Sequence, residues 1–298
     1  MSIVLGVGLG HPGPTALEAT SPRVLGARAD CSARVSCTVT WETARLPVRV
    51  YAGPAATRID RDAPAAVVRT GNEVTIPAPD PSLPVYFEVV PGNAKHGPVI
   101  GDRYVGLAGA PNTRDLGGYS SVDGRRVQWG RLFRTDGLTA LTADDRARLA
   151  ALGLPATCRA ADDPAVPGAP VDAAMLAATA ESVTSAASRE RDGAFLRALA
   201  RGPLPQWVQC TLLDDRAGWP AALVLTTLGV PRETVVADHL ESAHLGAAPS
   251  PDRQYVDTAL EAIRRRYKTF DRYLDKGLGL DQRTYDRLRE RFTTTNRG

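Results

Sequence analysis

Trp207-Val208-Gln209-Cys210-Thr211-Leu212-Leu213-Asp214-Asp215-Arg216-Ala217-Gly218 sets a cysteine and an arginine at either end of a five-residue spacer. A cysteine is a nucleophile only as thiolate, so its pKa must fall below the free value of about 8.5. A short strand over Gln206 to Gln209, a turn, and an apolar helix over Ala217 to Leu228 stopped by Gly229 provide the means. Backbone N–H groups of such a turn and the positive end of the helix stabilise anionic sulfur and a phosphate alike. Pro220 falls in the first helical turn, where N–H groups have no intrahelical acceptor. Arg216 can clamp two oxygens with its planar fork, which a lysine cannot copy. Asp215 is placed to protonate a leaving oxygen and then to activate water. The spacing alone arises by chance, so the flanking sequence decides its meaning.

Two other stretches supply that context. Asn112-Thr113-Arg114-Asp115-Leu116-Gly117-Gly118-Tyr119 is followed by Gly130-Arg131-Leu132-Phe133-Arg134-Thr135. Near the end stand Tyr273-Leu274, Gly277-Leu278-Gly279-Leu280 and Leu288-Arg289-Glu290-Arg291. Together with the Cys210 loop, these resemble the N-x-R-D-L-G-G-Y, G-R-L-F-R-S, H-C-x-x-G-K-D-R-T-G and closing helical motifs of the bacterial tyrosine-phosphatase-like family. The resemblance covers roughly residues 104 to 295. It implies Cys210 as nucleophile, Arg216 as clamp, Asp215 as acid and base, and the remaining loop residues Thr211, Leu212, Leu213, Asp214 and Ala217 as the anion cradle. It also implies that Arg114, Asp115, Arg134 and Arg159 lie near the mouth of the pocket. Arg114 and Asp115 have an alternative reading as structural pairs that hold the Gly117-Gly118 turn.

The loop departs from the family pattern at most supporting positions. The histidine before the cysteine is Gln209, the glycine is Leu213, the lysine is Asp214 and the hydroxyl after the arginine is Ala217. The D-L-R triplet reads Thr157-Cys158-Arg159, so Arg159 can replace a cation lost elsewhere. A leucine strains any turn position that needs φ > 0. Asp214 has the larger effect: at ~4–6 Å from a phosphate, an effective dielectric near 20 gives roughly 3–4 kcal/mol of repulsion before screening. The expectation is a tyrosine-phosphatase-superfamily enzyme of altered specificity, working through a cysteinyl-phosphate. Two alternatives stand beside it. One is a repurposed enzyme, of the kind used in actinobacterial specialised metabolism, in which Asp214 and Asp215 do acid/base chemistry. The other is a pseudophosphatase that only binds.

Composition bounds the rest. A chain of 298 residues suits one large or two ordinary domains. A net charge of +3 gives no basis for nucleic-acid binding, and Arg264-Arg265-Arg266 reads as a solvated helix patch. The alanine- and arginine-rich bias points to a high-GC genome. Met1 to Gly10 lacks the basic start and cleavage site of a signal peptide, and no apolar run is long enough for a span, so the expected location is cytoplasmic. Four cysteines do not suggest a disulfide framework: on one straight strand Cys31 and Cys37 would lie ~20 Å apart, and could pair only if the chain turns between them. His11, His96, His239 and His244 show no metal-ligand spacing, and no cofactor is expected. The substrate is expected to be a small molecule or a phosphorylated group.

Beyond an N-terminal segment (1–21), residues 22–100 read as a small all-β, fibronectin/Ig-like sandwich. Its strands are Val35 to Trp41, Val48 to Tyr51, Ala66 to Val68, Glu73 to Ile76 and Val85 to Val90. Residues 101–298 read as an α/β unit with a mostly parallel sheet flanked by helices. Within it, Arg114 to Arg134 suggests a hairpin turning at Val122 to Arg125. Thr142 caps a helix stopped by Gly153, and Leu154 to Arg159 is the next expected strand. A proline- and aspartate-rich loop, 161–172, precedes helices over 173–200, and two amphipathic helices, about 252–273 and 281–293, close the chain.

Overall fold

The computed structural model describes residues 24–31, 35–42, 44–78, 80–135, 137–158, 173–210, 218–245 and 252–295. The N-terminal third forms two antiparallel sheets. One orders β1 (Arg28–Asp30), β2 (Ser36–Thr40) and β5 (Glu73–Pro77) as β1-β2-β5; the other orders β3 (Val48–Gly53), β4 (Ala66–Val68), β6 (Tyr86–Pro91) and β7 (Val99–Gly101) as β4-β3-β6-β7. Strand side chains alternate between faces, so Cys37 and Val39 from one sheet meet Val48, Val50, Phe87 and Val89 from the other in a common core with Trp41. β6 is buried along its whole length. Phe87 and Val89 enter this core, whereas Tyr86 belongs to a second cluster with Phe133, Leu149, Leu152 and Leu154 from the following part of the chain. The unbroken apolar run around β6 therefore reflects burial on both faces.

The next elements are β8 (Arg114–Asp115), β9 (Arg125–Val127), β10 (Leu132–Thr135), α1 (Ala143–Leu152), α2 (Ala173–Thr184), α3 (Ala186–Leu199) and β11 (Gln206–Cys210). They are followed by α4 (Trp219–Thr227), α5 (Arg232–Glu241), α6 (Arg253–Tyr267), the short α7 (Phe270–Arg272), α8 (Gln282–Phe292) and β12 (Thr293–Thr295). The sheet beside the Cys210 loop has the order β11-β10-β8, in which β10 pairs parallel with β11 and antiparallel with β8. Among the described residues, the mostly parallel sheet expected is thus a mixed three-stranded one with a single parallel pairing. β9 pairs instead with β12, so the end of the chain closes back on the expected 122–125 turn.

α1 shows how local chemistry sets the helices. Thr142 accepts from the Asp145 N–H while Asp145 reaches back to the cap, and Gly153 closes the end at φ 77°. Leu154 does not begin a strand: its N–H bonds back to the Leu149 carbonyl at 2.9 Å, and Pro155 has no N–H to give a ladder. Helix α4 is buried on nearly every side, with Trp219, Leu223, Val224 and Leu225 at the centre of the largest core cluster. Fully burying each such side chain contributes about 1.5–3 kcal/mol. That core fixes where the helix begins, and so where the Cys210 loop must end.

The cysteines correct an expectation: all four are paired, Cys31 with Cys37 and Cys158 with Cys210. β1 and β2 are antiparallel, with Asp30 opposite Thr38, so the chain does reverse between Cys31 and Cys37 and brings their Cα atoms to 4.2 Å. Disulfides persist in oxidising surroundings, so this pair lends no support to the cytoplasmic expectation. Among the described residues no helix is long and apolar enough to cross a membrane.

Candidate active site

Cys210 is the last residue of β11 and is 5% exposed. Its register partner on β10 is Thr135, and Arg134 stands opposite Gln209. Thr135 Oγ1 shares a 2.8 Å hydrogen bond with Thr113 Oγ1, which ties the head of β10 to the Asn112–Tyr119 segment. Thr211, Leu212, Leu213, Asp214, Asp215, Arg216 and Ala217 lie outside the described residues, as does Arg159. On the far side of that loop the chain re-emerges at Gly218, the N-cap of α4, with φ 49° and no side-chain cap. A strand end and a helix N-terminus thus bracket the loop.

Gly218 is required by space as well as by its φ. A Cβ there would lie 2.4 Å from Nδ1 of His239, a ring that is 2% exposed on α5. Burial, then repulsion from Arg134, pushes His239 down to about 4, so the ring is neutral at pH 7. Neither ring nitrogen has a hydrogen bond of normal geometry; the Asp252 backbone lies close enough only to oppose the downward shift. Below the loop, Trp219 Nε1 donates to Asp192 Oδ2 at 2.8 Å, which anchors the first turn of α4.

Three of the expected pocket residues are buried. Arg114 donates through Nε to Asp238 Oδ1 (3.2 Å) and through Nη2 to the Asp238 carbonyl (2.5 Å), and it also reaches Asn112 and Ser242. Arg134 Nη1 reaches Asp238 Oδ2 at 3.3 Å, and the Tyr119 hydroxyl donates to Oδ1 at 2.9 Å. Burial alone would raise the Asp238 pKa, but the charges of Arg114 and Arg134 and the Arg114 hydrogen bonds outweigh it and hold the carboxyl well below the usual range. Arg114 and Arg134 thus share the Asp238 carboxylate.

Asp115 lies elsewhere. It accepts from the N–H groups of Gly117 (2.8 Å) and Gly130 (2.6 Å) and from the Tyr86 hydroxyl (2.9 Å). Burial pushes it up to about 6 against these stabilising bonds. The structure therefore brings Arg114 and Arg134 together on Asp238 and ties Asp115 to the Gly117-Gly118 turn and to β6.

No sequence pattern marks Asp238 or Tyr86, and His239, which its spacing sets aside as a surface histidine without metal-ligand partners, is instead buried. Asp238 and His239 sit in a helix whose charged neighbours, Arg232, Glu233 and Glu241, read as a solvated face. No local spacing links them to Arg114, more than a hundred residues earlier. Cys158 was recognised only as a changed family position, yet its sulfur is bonded to that of Cys210, with the Cα atoms 6.1 Å apart. In this form Cys210 has no thiolate to offer.

Comparisons with known proteins show which family the sequence falls in. A sequence profile of the "Tyrosine phosphatase family" matches residues 105–159 and 160–294, which contain Cys158, Cys210, Asp238 and the arginines that face it. A protein of Cupriavidus necator named "Putative tyrosine-protein phosphatase" is 28% identical over 227 residues, covering 57% of this chain and 82% of the relative. Carried by that profile over well above half its length, the chain belongs to the tyrosine phosphatase family.

Proposed function

We propose that the chain, with Cys210 reduced, hydrolyses phosphate monoesters of altered specificity through a cysteinyl-phosphate. The observation that carries this reading is the position of Cys210 at the end of β11, with the N-terminus of α4 at Gly218 on the other side of the loop. Cys210 Sγ attacks phosphorus as the ester oxygen departs, and Asp215 gives that oxygen its proton. Asp215 then takes a proton from water, which displaces the sulfur and releases inorganic phosphate. Arg216 holds the equatorial oxygens, and the α4 N-terminus favours thiolate and phosphate together. Leu212, Leu213 and Asp214 suit a monoanionic or bulky apolar ester better than a small dianionic one. Residues 22–100 act in this reading as a fibronectin/Ig-like unit that supports a tyrosine-phosphatase-like unit over 101–298.

The bonded sulfur of Cys210 favours a second reading, in which Asp214 and Asp215 perform acid/base chemistry on an organic substrate without phosphoryl transfer. The two readings separate on reduced protein assayed with aryl phosphates. Phosphate release that disappears in Cys210→Ser supports the first. Turnover of any substrate that survives Cys210→Ser but is lost in Asp215→Asn supports the second.

A further inference from the structure

We infer that the cleft between the N-terminal sheets and the β9–β10 stretch binds a small organic anion, a carboxylate or phosphate joined to an apolar body. This site needs nothing from Cys210. Arg131 precedes β10, whose other end, Thr135, is the register partner of Cys210. Four residues of strand put about 13 Å between those ends. The cleft and the Cys210 loop are therefore two separate places on the molecule.

The cavity measures about 280 Å³, near the lower end of small-molecule sites. One wall is apolar, built by Val24, Pro98 and Val99 of the N-terminal third. The facing wall holds Arg126, Trp129 and Arg131, and no carboxylate is among the described residues that line the space. Gly130 lets the walls approach: it sits at φ 71°, and a Cβ there would lie 2.8 Å from the Ala56 Cβ.

The polar wall is short of acceptors. Arg131 is half-buried, and its guanidinium has no hydrogen bond or ion pair among the described residues. Burial, then repulsion from Arg291, holds it below its ordinary pKa, and no carboxylate offsets either. Arg126 reaches the Gly118 carbonyl only at 3.5 Å, and its Nε is buried without a partner. Trp129 Nε1 is a second buried donor in that state. Unpaired buried donors are uncommon and costly, so two of them beside an unpaired guanidinium fit a ligand rich in acceptors. An arginine fork matches the paired oxygens of a carboxylate or phosphate.

The adjoining recess fixes the ligand's orientation. Arg126 and Trp129 border it too, together with Arg103 and Asp102. Arg103 is already engaged: it stacks on Tyr119 and Trp129 and donates to the Asp115 carbonyl at 2.7 Å. Asp102 would repel an anion. The oxyanion therefore belongs on the Arg131 side, with the apolar body against Val24, Pro98 and Val99.

The test titrates the full chain, 15N-labelled at its four tryptophan indoles, with benzoate, phenylphosphonate, benzamide and sulfate. Indole NMR signals are followed, and Trp129→Phe assigns the Trp129 signal. Benzoate and phenylphosphonate should both shift that signal with Kd below about 1 mM, the tighter of the two naming the headgroup. Benzamide and sulfate should bind at least about tenfold more weakly. Arg126→Gln and Arg131→Gln, each checked by melting, should weaken benzoate at least about tenfold, and Cys210→Ser should leave it unchanged. Shifts confined to the other three tryptophans, which include Trp207 and Trp219 on either side of the Cys210 loop, would overturn the inference. So would benzamide binding as tightly as benzoate, sulfate binding as tightly as phenylphosphonate, or affinity lost in Cys210→Ser. If neither arginine variant folds, the contrast between benzoate and benzamide in wild type still decides.

Discussion

Tyr86 of β6 donates its hydroxyl hydrogen to Asp115 Oδ2 at 2.9 Å, joining the N-terminal sheets to the turn that begins the tyrosine-phosphatase-type region. Both side chains are buried, at 2% and 0% exposure. Burial, then the charge of Asp115, raises the tyrosine well above its usual range, so the hydroxyl keeps its proton and stays a donor. The N-terminal sheets are thereby coupled to the Asn112–Tyr119 segment through a buried polar contact as well as through apolar packing.

Tyr86→Phe removes this donor and leaves Asp115 with its two glycine N–H partners. It should cost about 1–2 kcal/mol and lower the thermal midpoint by roughly 2–8 °C. Calorimetric melting checks this; an unchanged midpoint would mean the contact contributes nothing net.

Asp115 also sets a pH dependence. Its pKa rises from 3.8 to about 6 on folding, so between these values the native state binds more protons than the unfolded chain. Stability from this group is therefore present at pH 4 and declines as pH rises through 6. Relative to Asp115→Asn, wild type should lose part of its stability advantage between pH 4 and 6, measured by denaturant titration at each pH. A constant difference would contradict the assignment.

Asp238 behaves oppositely. Its carboxyl is held well below 3.8, so its contribution is full above about pH 4 and is lost as pH falls below that. Asp238→Asn neutralises the buried carboxylate that both Arg114 and Arg134 reach. The cost should be about 3–5 kcal/mol, seen as a lower urea midpoint at pH 7, and the gap to wild type should narrow in acid.

Gly218→Ala meets both a left-handed φ and the His239 ring. It should destabilise the fold by about 1–3 kcal/mol and lower kcat on aryl phosphates. Adding His239→Ala should recover the steric part and leave the backbone part. A double-mutant cycle with no coupling would remove His239 from its position against Gly218.

Asp214→Lys restores the cation of the family pattern. Exchanging repulsion for attraction should tighten inorganic phosphate at least about tenfold by calorimetry. Unchanged affinity would show that Asp214 points away from the anion.

Much of the fold was legible because its signals are local. Alternation in Ser36–Thr40, the Thr142–Asp145 box with Gly153, and the apolar run of Trp219–Thr227 each mark an element within a few residues. Leu154 to Arg159 misled because its β-like composition could not show that the Leu154 N–H closes α1. The site was legible only where motifs survive: Cys210, Arg114 and Arg134 could be named, but not the carboxylate that pairs the arginines. That partner lies 124 residues from Arg114 and 104 from Arg134, where spacing carries no information. The Cys158–Cys210 bond was hidden for the same reason, 52 residues separating two cysteines that sheet and loop bring together.

In the proposed reaction Cys210, once reduced, carries a phosphoryl group. Acid quench of reduced Asp215→Asn during turnover of p-nitrophenyl phosphate, followed by peptide mass spectrometry, looks for that group. Slowed dephosphorylation should leave phosphate on the Cys210 peptide, at a level that falls to background in Cys210→Ser. p-Nitrophenol release with no phosphate on Cys210 at any quench time would mean that the reaction does not pass through this cysteine.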